Sequence, residues 1–521
     1  MKIDIFFNRK NFFVIFLFLF SIIINQYYGY RGVFPIDSFI IFESGFNVIS
    51  GNHPFKDYWT ITGPFLDYIQ SAFFLAFGIN WFSYVLHASI INLVLALFSF
   101  YFFRSIGLKI IFAFIYSLAI SILAYPSAGT PFMDHHAVIF SVMALYSLML
   151  GIFFEKNLFW FLTSIFLIFS FLSKQIPSAY LLILFTVIIF YYFSFIKDSN
   201  KKNLLYLFYG IFLSLIIITS IFFINEIPIK NFLIQYIFYP LTLGDARINA
   251  LDVDFKNLIS QFKFIYFSLI PMLISLYFLI KIKVKNIIQK KELLISILFI
   301  GSIIIFIYCQ LLTKNQVLIF FLIPICAALS NFYAIKYFNK NYIIYFILII
   351  FIFSTFKYHI RFNQNKKFME LVNADFNLSV NAGKIDKKLS KLKWISPNYI
   401  NDPLKEVNLL IDTKNILSQN NMKRKIIITN YQFFSGILGN QYTSPNKWYD
   451  HLSVPSKKNK YYSEYKNFFL TKIKDNNIGY IYTIGKNKEN FFMDLINDNE
   501  CVVFKKLNEL LVEFKIDECE F

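Results

Sequence analysis

The sequence predicts an α-helical polytopic membrane protein of about eleven transmembrane helices, followed by a small C-terminal extracytoplasmic α/β domain. Three observations predict it. Apolar types make up 57% of the 521 residues and charged residues only 16%, against about 25% charged in ordinary soluble proteins. A mean hydropathy of +0.55 and 69 Phe leave a surface that must face lipid. Mostly apolar runs of roughly 17 to 25 residues, the length that crosses a bilayer core, recur from Asn11 to Phe356.

These runs place spans near 11–26, 81–103, 110–126, 136–154, 157–173, 177–196, 204–224, 261–281, 292–311, 316–335 and 341–356. The segments lack the alternating pattern of a membrane barrel, and backbone amides in hydrocarbon must be bonded internally, so the spans are helices. The first run follows Lys2, Arg9 and Lys10. Its end, Ile23-Ile24-Asn25-Gln26, offers no small-residue cleavage site, so it reads as a helix and not as a removable signal.

The net charge of +19 is spread between apolar runs instead of forming a basic stripe, which argues against a nucleic-acid partner. Lys and Arg mark alternate connections: Arg104 with Lys109, Lys156, Lys197 with Lys201 and Lys202, Lys281 to Lys291, and Lys336 with Lys340. Positive charge favours the cytoplasmic side. The connections at 27–80, 127–135, 174–176, 225–260 and 312–315 then lie outside an inner (plasma) membrane.

Two units follow: a transmembrane module over 1–356 with a large first outer loop at 27–80, and an extracytoplasmic tail over 357–521, where Lys, Asn, Asp and Glu become frequent. Within the tail, Ile426 to Thr429 and Tyr480 to Ile484 read as strands, and Lys466 to Ile473 as a helix. Cys309 and Cys326 fall in apolar helices, as packing residues. In an oxidising outer compartment Cys501 and Cys519 can pair, with geometry deciding.

The first outer loop carries the strongest candidates for chemistry. Asp37 stands at its start in Pro35-Ile36-Asp37-Ser38; Gly51-Asn52-His53-Pro54-Phe55-Lys56-Asp57 follows, then Thr62-Gly63-Pro64, then an amphipathic stretch from Phe65 to Phe77 suited to the membrane interface. Phe171-Leu172-Ser173-Lys174-Gln175 ends a middle helix.

In these residues and in its architecture the chain resembles the C-type (GT-C) membrane glycosyltransferases, the group of protein O-mannosyltransferases, aminoarabinose transferases and oligosaccharyltransferases. The likeness covers roughly two thirds of the chain. It departs in two places: Asp37-Ser38 stands where an acidic pair is often found, and Thr62-Gly63-Pro64 replaces a Lys-Pro-Pro turn. The resemblance implies transfer of a sugar from a polyprenyl-phosphate-linked donor to a hydroxyl of a glycan, lipid or protein on the outer face, with Asp37 catalytic. A lipid-linked glycan polymerase or ligase, and a transporter or flippase, stand as alternatives.

Such transfer needs a base for the acceptor and cations for the departing phosphate. Lys174, Arg247 and Lys56 are the candidate phosphate ligands; Asp57, His53, Asp134 and His135 are candidates for the sugar, the acceptor or a second acidic role. Each has a plainer alternative. Asp37 can cap a helix, Asp57 can be a turn residue, Lys174 can snorkel, and Arg247 can form a surface pair with Asp245. Asp134, His135 and His136 are also weak candidates for a divalent metal, or His135 and His136 can sit at the interface without a ligand. Pro240 and Gly244 suggest a shaped turn. Lys314 is a weaker candidate of the Arg247 kind. In the tail, Ser444 to His451 can stack on a sugar and help close the site.

Overall fold

A computed structural model describes residues 9–196, 199–249, 251, 254–281, 287–314, 318–338, 341–419, 424–439, 442–450, 452–496 and 502–516. Cys501, Cys519 and His451 lie outside the described residues. Among those described, ten helices are long and apolar enough to cross a membrane, from Asn11–Gly29 to Tyr342–Met369. The remaining expected span, Asn157–Ser173, is shorter at 17 residues. It lies antiparallel to Met133–Phe154, because Asp134 at the start of one helix meets Lys174 at the end of the other. Met133–Phe154 is the most enclosed span and Lys202–Ile224 the most peripheral.

Two boundaries differ from the sequence expectation. The last bundle helix, Asn341–Tyr358, continues through a π-turn at His359–Gln364, so the polar residues after 356 begin on the same rod. Pro240 and Gly244 make no turn: both lie inside helix Tyr239–Asn249, preceded by the π-helical stretch Leu233–Phe238. Proline cannot donate to the carbonyl four residues back. Here that carbonyl, on Tyr236, accepts a 2.7 Å hydrogen bond from Gln175 instead.

The 27–80 loop is largely helical, with Pro35–Ser38, Ile40–Ile49 and Phe65–Phe77. The last of these packs a mixed face of Leu66, Asp67, Gln70, Ser71 and Phe74 inward, while Leu75 and Phe77 stay exposed. Its polar residues therefore serve the protein interior, and only its far end presents an apolar surface.

The tail contains a hairpin of β1 (Val380–Asn381) and β2 (Lys393–Trp394). Its five-stranded sheet comprises β3 (Lys425–Thr429), β4 (Tyr442–Thr443), β5 (Tyr480–Ile484), β6 (Val503–Lys506) and β7 (Leu511–Lys515), in the order β4-β3-β5-β7-β6. β3, β4 and β5 run parallel; β7 and β6 are antiparallel additions. All five residues of β3 are buried, as befits a central parallel strand covered on both faces.

Tail and bundle are joined by backbone pairing. Gly32 and Val33 donate to the carbonyls of Lys393 and Ile395, and Trp59 exchanges hydrogen bonds with Pro445 and Lys447. A shared apolar core includes Phe39 stacked on Trp394 at 5.5 Å. The segment that carries Asp37 is thus fixed between helix Trp81–Ser105 and the tail.

Candidate functional site

Pro35, with its φ already suited to a first helical turn, begins the four-residue helix that carries Asp37. Phe34 is its cap and makes no side-chain capping bond, so Asp37 does not act as an N-cap. Ser38 accepts from the Phe34 amide at 2.9 Å, and its own carbonyl accepts from Tyr84 at 2.9 Å. Ser38 therefore anchors the turn instead of supplying a second acid.

Asp37 opens onto a cavity of about 560 Å³ while protein encloses it on its other sides. Burial, aided by the neighbouring Asp134 and Asp450 charges, raises its pKa to about 7 against the opposing influence of the Trp448 indole and Lys174. Trp448 and Asp450 come from the tail loop, which therefore lies beside Asp37.

Five cationic side chains line the same cavity: Lys263, Lys314, Lys357, Arg361 and Lys367. They come from three helices or their ends and from the turn after the last helix. Lys263 begins Lys263–Lys281, Lys314 follows Ile287–Leu312, and Lys357 and Arg361 lie four residues apart on the continuous last helix. None of the five forms an ion pair among the described residues. Among the described residues only Asp37 and Glu370 bring carboxyl groups to the wall. Beside the cations, Phe320 stacks on Tyr358 at 4.2 Å and on Phe362 at 5.2 Å, forming an aromatic wall.

Of the residues expected from sequence, Asp37, Asp134 and Lys174 are brought together. Lys174 grips both Asp134 oxygens at 2.6 and 2.7 Å, and only 14% of its side chain is exposed. It is a paired cation and does not snorkel. Lys56 pairs instead with Glu226 at 3.3 Å and Arg247 is on helix Tyr239–Asn249; neither lines the cavity. Asp57 accepts from the His53 amide and pairs with Lys472 at 3.2 Å, while the His53 ring meets Tyr68. Lys56, Asp57 and His53 tie the 27–80 loop to its neighbours, and neither they nor Arg247 line the cavity with Asp37.

The metal candidates are similarly engaged elsewhere. His135 faces Ser127 at 3.3 Å, and His136 meets His87 at 3.0 Å and the Tyr125 hydroxyl. Asp134 is occupied by Lys174. Among the described residues no group of three or more His, Cys, Asp or Glu side chains is placed to hold a metal ion, so this trio does not fit one.

Sequence reasoning missed four of the five cavity cations and anticipated only Lys314. The missed signal was Lys357 and Arg361, four residues apart on one helical rod across the composition change, with Lys367 in the short turn that follows. Also missed was Glu43, which is buried in helix Ile40–Ile49 beside Ser435 and Gly436 of the tail.

The fold and the cavity together define a multi-pass membrane protein with clustered cations, free of ion pairs among the described residues, beside a raised-pKa carboxyl group. No family model matches the chain, and no curated protein does. Among solved structures it is similar to the archaeal oligosaccharyltransferase AglB from Archaeoglobus fulgidus, in complex with an inhibitory peptide and a dolichol-phosphate. The identity is 11% and the TM-score 0.49, over 96% of this chain and 74% of that one.

Proposed function

We propose that the protein is a membrane glycosyltransferase that moves a sugar from a polyprenyl-phosphate-linked donor to a hydroxyl acceptor. The observation that carries this reading is the convergence of Lys263, Lys314, Lys357, Arg361 and Lys367 on one cavity with Asp37. Unpaired cations facing a common space repel one another and favour an anion between them, and charge-assisted bonds to phosphate are strong. The aromatic wall gives an apolar surface for the lipid part of such a donor.

In the proposed reaction the acceptor oxygen bonds to the anomeric carbon. The bond from that carbon to the donor phosphate breaks, leaving its electron pair on the phosphate oxygen. The acceptor proton passes to the Asp37 carboxylate, and the cations hold the released phosphate. A base whose pKa lies near 7 suits this role at neutral pH. Lys174 acts through Asp134 and Asp37 as a positioning residue.

The reading places the site on the outer face of the inner membrane, with the tail extracytoplasmic. Two observations support this: the alternation of Lys and Arg between connections, and the packing of the tail against the 27–80 loop at the cavity end. The number of unpaired cations also favours a second reading, a lipid-diphosphate-linked donor as used by a glycan polymerase or ligase.

Sugar transfer from a synthetic polyprenyl-phosphate sugar, measured for wild type, Asp37→Asn and Arg361→Ala, tests the proposal. Loss of about 100-fold or more in Asp37→Asn is expected for removal of a general base. For Arg361→Ala, loss of a charge-assisted bond predicts a decrease of about 10- to 100-fold. Equal transfer by all three removes the assignment, and substrate movement in liposomes without transfer by wild type favours transport. Transfer only from the diphosphate donor selects the second reading.

A further inference from the structure

A second cavity, of about 310 Å³, lies on the far side of the short helix that carries Asp37. Pro35 and Ile36 face it, whereas Asp37 faces the cationic cavity. Phe34 and Glu370 line both, so Pro35–Ser38 is a one-turn partition between two adjoining spaces.

The tail side of this second cavity is formed at the carboxyl ends of β3 and β5. Asn430 follows Thr429 at the end of β3, and Gly485 follows Ile484 at the end of β5. From β3 the chain leads to β4 on one side of the sheet, and from β5 it leads to β6 and β7 on the other. Connections that leave adjacent parallel strands in opposite directions open a crevice at their carboxyl ends, the usual ligand position in open α/β sheets. Gly485, at φ +116°, takes the chain sharply away from β5 and helps keep that crevice open.

We infer that this crevice is the acceptor site and that it takes a saccharide unit of a glycan. The inference rests on the glycosyltransferase reading for its role, but the chemistry of the crevice stands separately. Asn398 and Asn430 line it with side-chain amides. An amide offers a donor and an acceptor together, which matches neighbouring sugar hydroxyls. The Tyr399 ring lies beside them with Lys486 Nζ 5.9 Å from its centre, and provides an apolar face against which a sugar ring can pack. An acceptor held here has only the Pro35–Ser38 turn between it and the donor cavity, so a hydroxyl reaching past Phe34 arrives beside Asp37.

The test uses the full chain in detergent, with glucose, N-acetylglucosamine and glucuronic acid oligosaccharides as probes at up to about 10 mM, the range of weak single-site binding. Saturation-transfer NMR measures binding to wild type and to Asn430→Ala/Tyr399→Ala; thermal unfolding verifies that the variant is folded. Binding of at least one saccharide to wild type, weakened about 10-fold or more in the variant as expected for loss of a stacking face and an amide bond, supports the inference. Equal binding by both proteins, no saccharide binding by wild type, or binding only of a Ser/Thr peptide overturns it.

A second arm separates this inference from the donor reading. Donor hydrolysis without acceptor is expected to be unchanged in the variant, while transfer to the bound saccharide falls through a higher KM. Loss of both activities together overturns the acceptor assignment. Absence of donor turnover in wild type, with saccharide binding retained, counts against the transferase reading alone.

Discussion

Lys447 of the tail and Asp67 of helix Phe65–Phe77 form an ion pair whose side chains are 1% and 0% exposed. Asp67 also accepts from Ser44 and Tyr58 at 2.8 Å each, so its charge is satisfied from three elements. The network joins the tail to the membrane module at the level of the first loop. Removing one member of a buried pair leaves the other charged and unpaired, at a cost of about 3 to 5 kcal/mol. Lys447→Met is therefore expected to lower the unfolding midpoint in detergent strongly, with the tail becoming more sensitive to protease. Lys447→Met combined with Asp67→Leu should recover part of that loss, and an equal or greater loss in the double variant would show that the pair is not the cause.

Asp37 makes activity and stability respond to pH in opposite directions. Its pKa, raised to about 7 mainly by burial, means that the ionised base is scarce in acid. The proposed transfer should rise about tenfold per pH unit below 7 and level off above it. Stability follows the raised-pKa rule: the folded state holds the proton more tightly, so stability present below the ordinary carboxylate range is lost as pH rises through about 7. Asp37→Asn should consequently unfold at a higher temperature than wild type at pH 8 while losing transfer. A flat pH–rate profile between pH 5 and 8 would exclude Asp37 as the base.

Glu43 supplies a control for that effect outside the cationic cavity. Burial raises its pKa to about 7, against the favourable influence of Ser435 and the Gly436 amide. As with Asp37, its stabilising contribution is greatest below the ordinary carboxylate value and disappears as pH rises through about 7. Glu43→Gln should raise the unfolding midpoint at pH 8 and lose that advantage near pH 4. A stabilisation equal at both pH values would point to packing instead of ionisation.

The helices and the two central strands were legible because each depends on local pattern. Long apolar runs specify most of the bundle, and Ile426 to Thr429 and Tyr480 to Ile484 both lie in observed strands. The cavity cations depend on tertiary convergence. Lys263 and Lys314 mark different helix ends, and Lys357 and Arg361 appear where composition turns polar although the helix continues. Pro240 misled for a different reason: Gln175, distant in sequence, satisfies the carbonyl that proline leaves without its donor. Asp37 was legible through the resemblance of its loop, but its cationic surroundings were not.

Gly63 gives a final test, of how the first loop is seated. Its amide donates to the Ser173 carbonyl, and a Cβ added at residue 63 would lie 1.8 Å from the Leu172 carbonyl oxygen. The obstacle is backbone, so it cannot move away as a flexible side chain would. Gly63→Ala must push the 60–64 segment from the end of helix Asn157–Ser173, where Lys174 holds Asp134 and Gln175 donates to the Ile61 carbonyl. Overpacking of this kind costs about 1 to 3 kcal/mol or more, so the variant should unfold at a lower temperature and transfer sugar more slowly. Gly244→Ala is the informative contrast: its added Cβ meets no neighbour within 4 Å, in helix Tyr239–Asn249. Replacing an interior helical glycine by alanine there should stabilise by up to about 1 kcal/mol. Thermal unfolding of both variants in the same detergent decides the matter, since equal midpoints would mean that the close approach at Gly63 does not set the position of the loop.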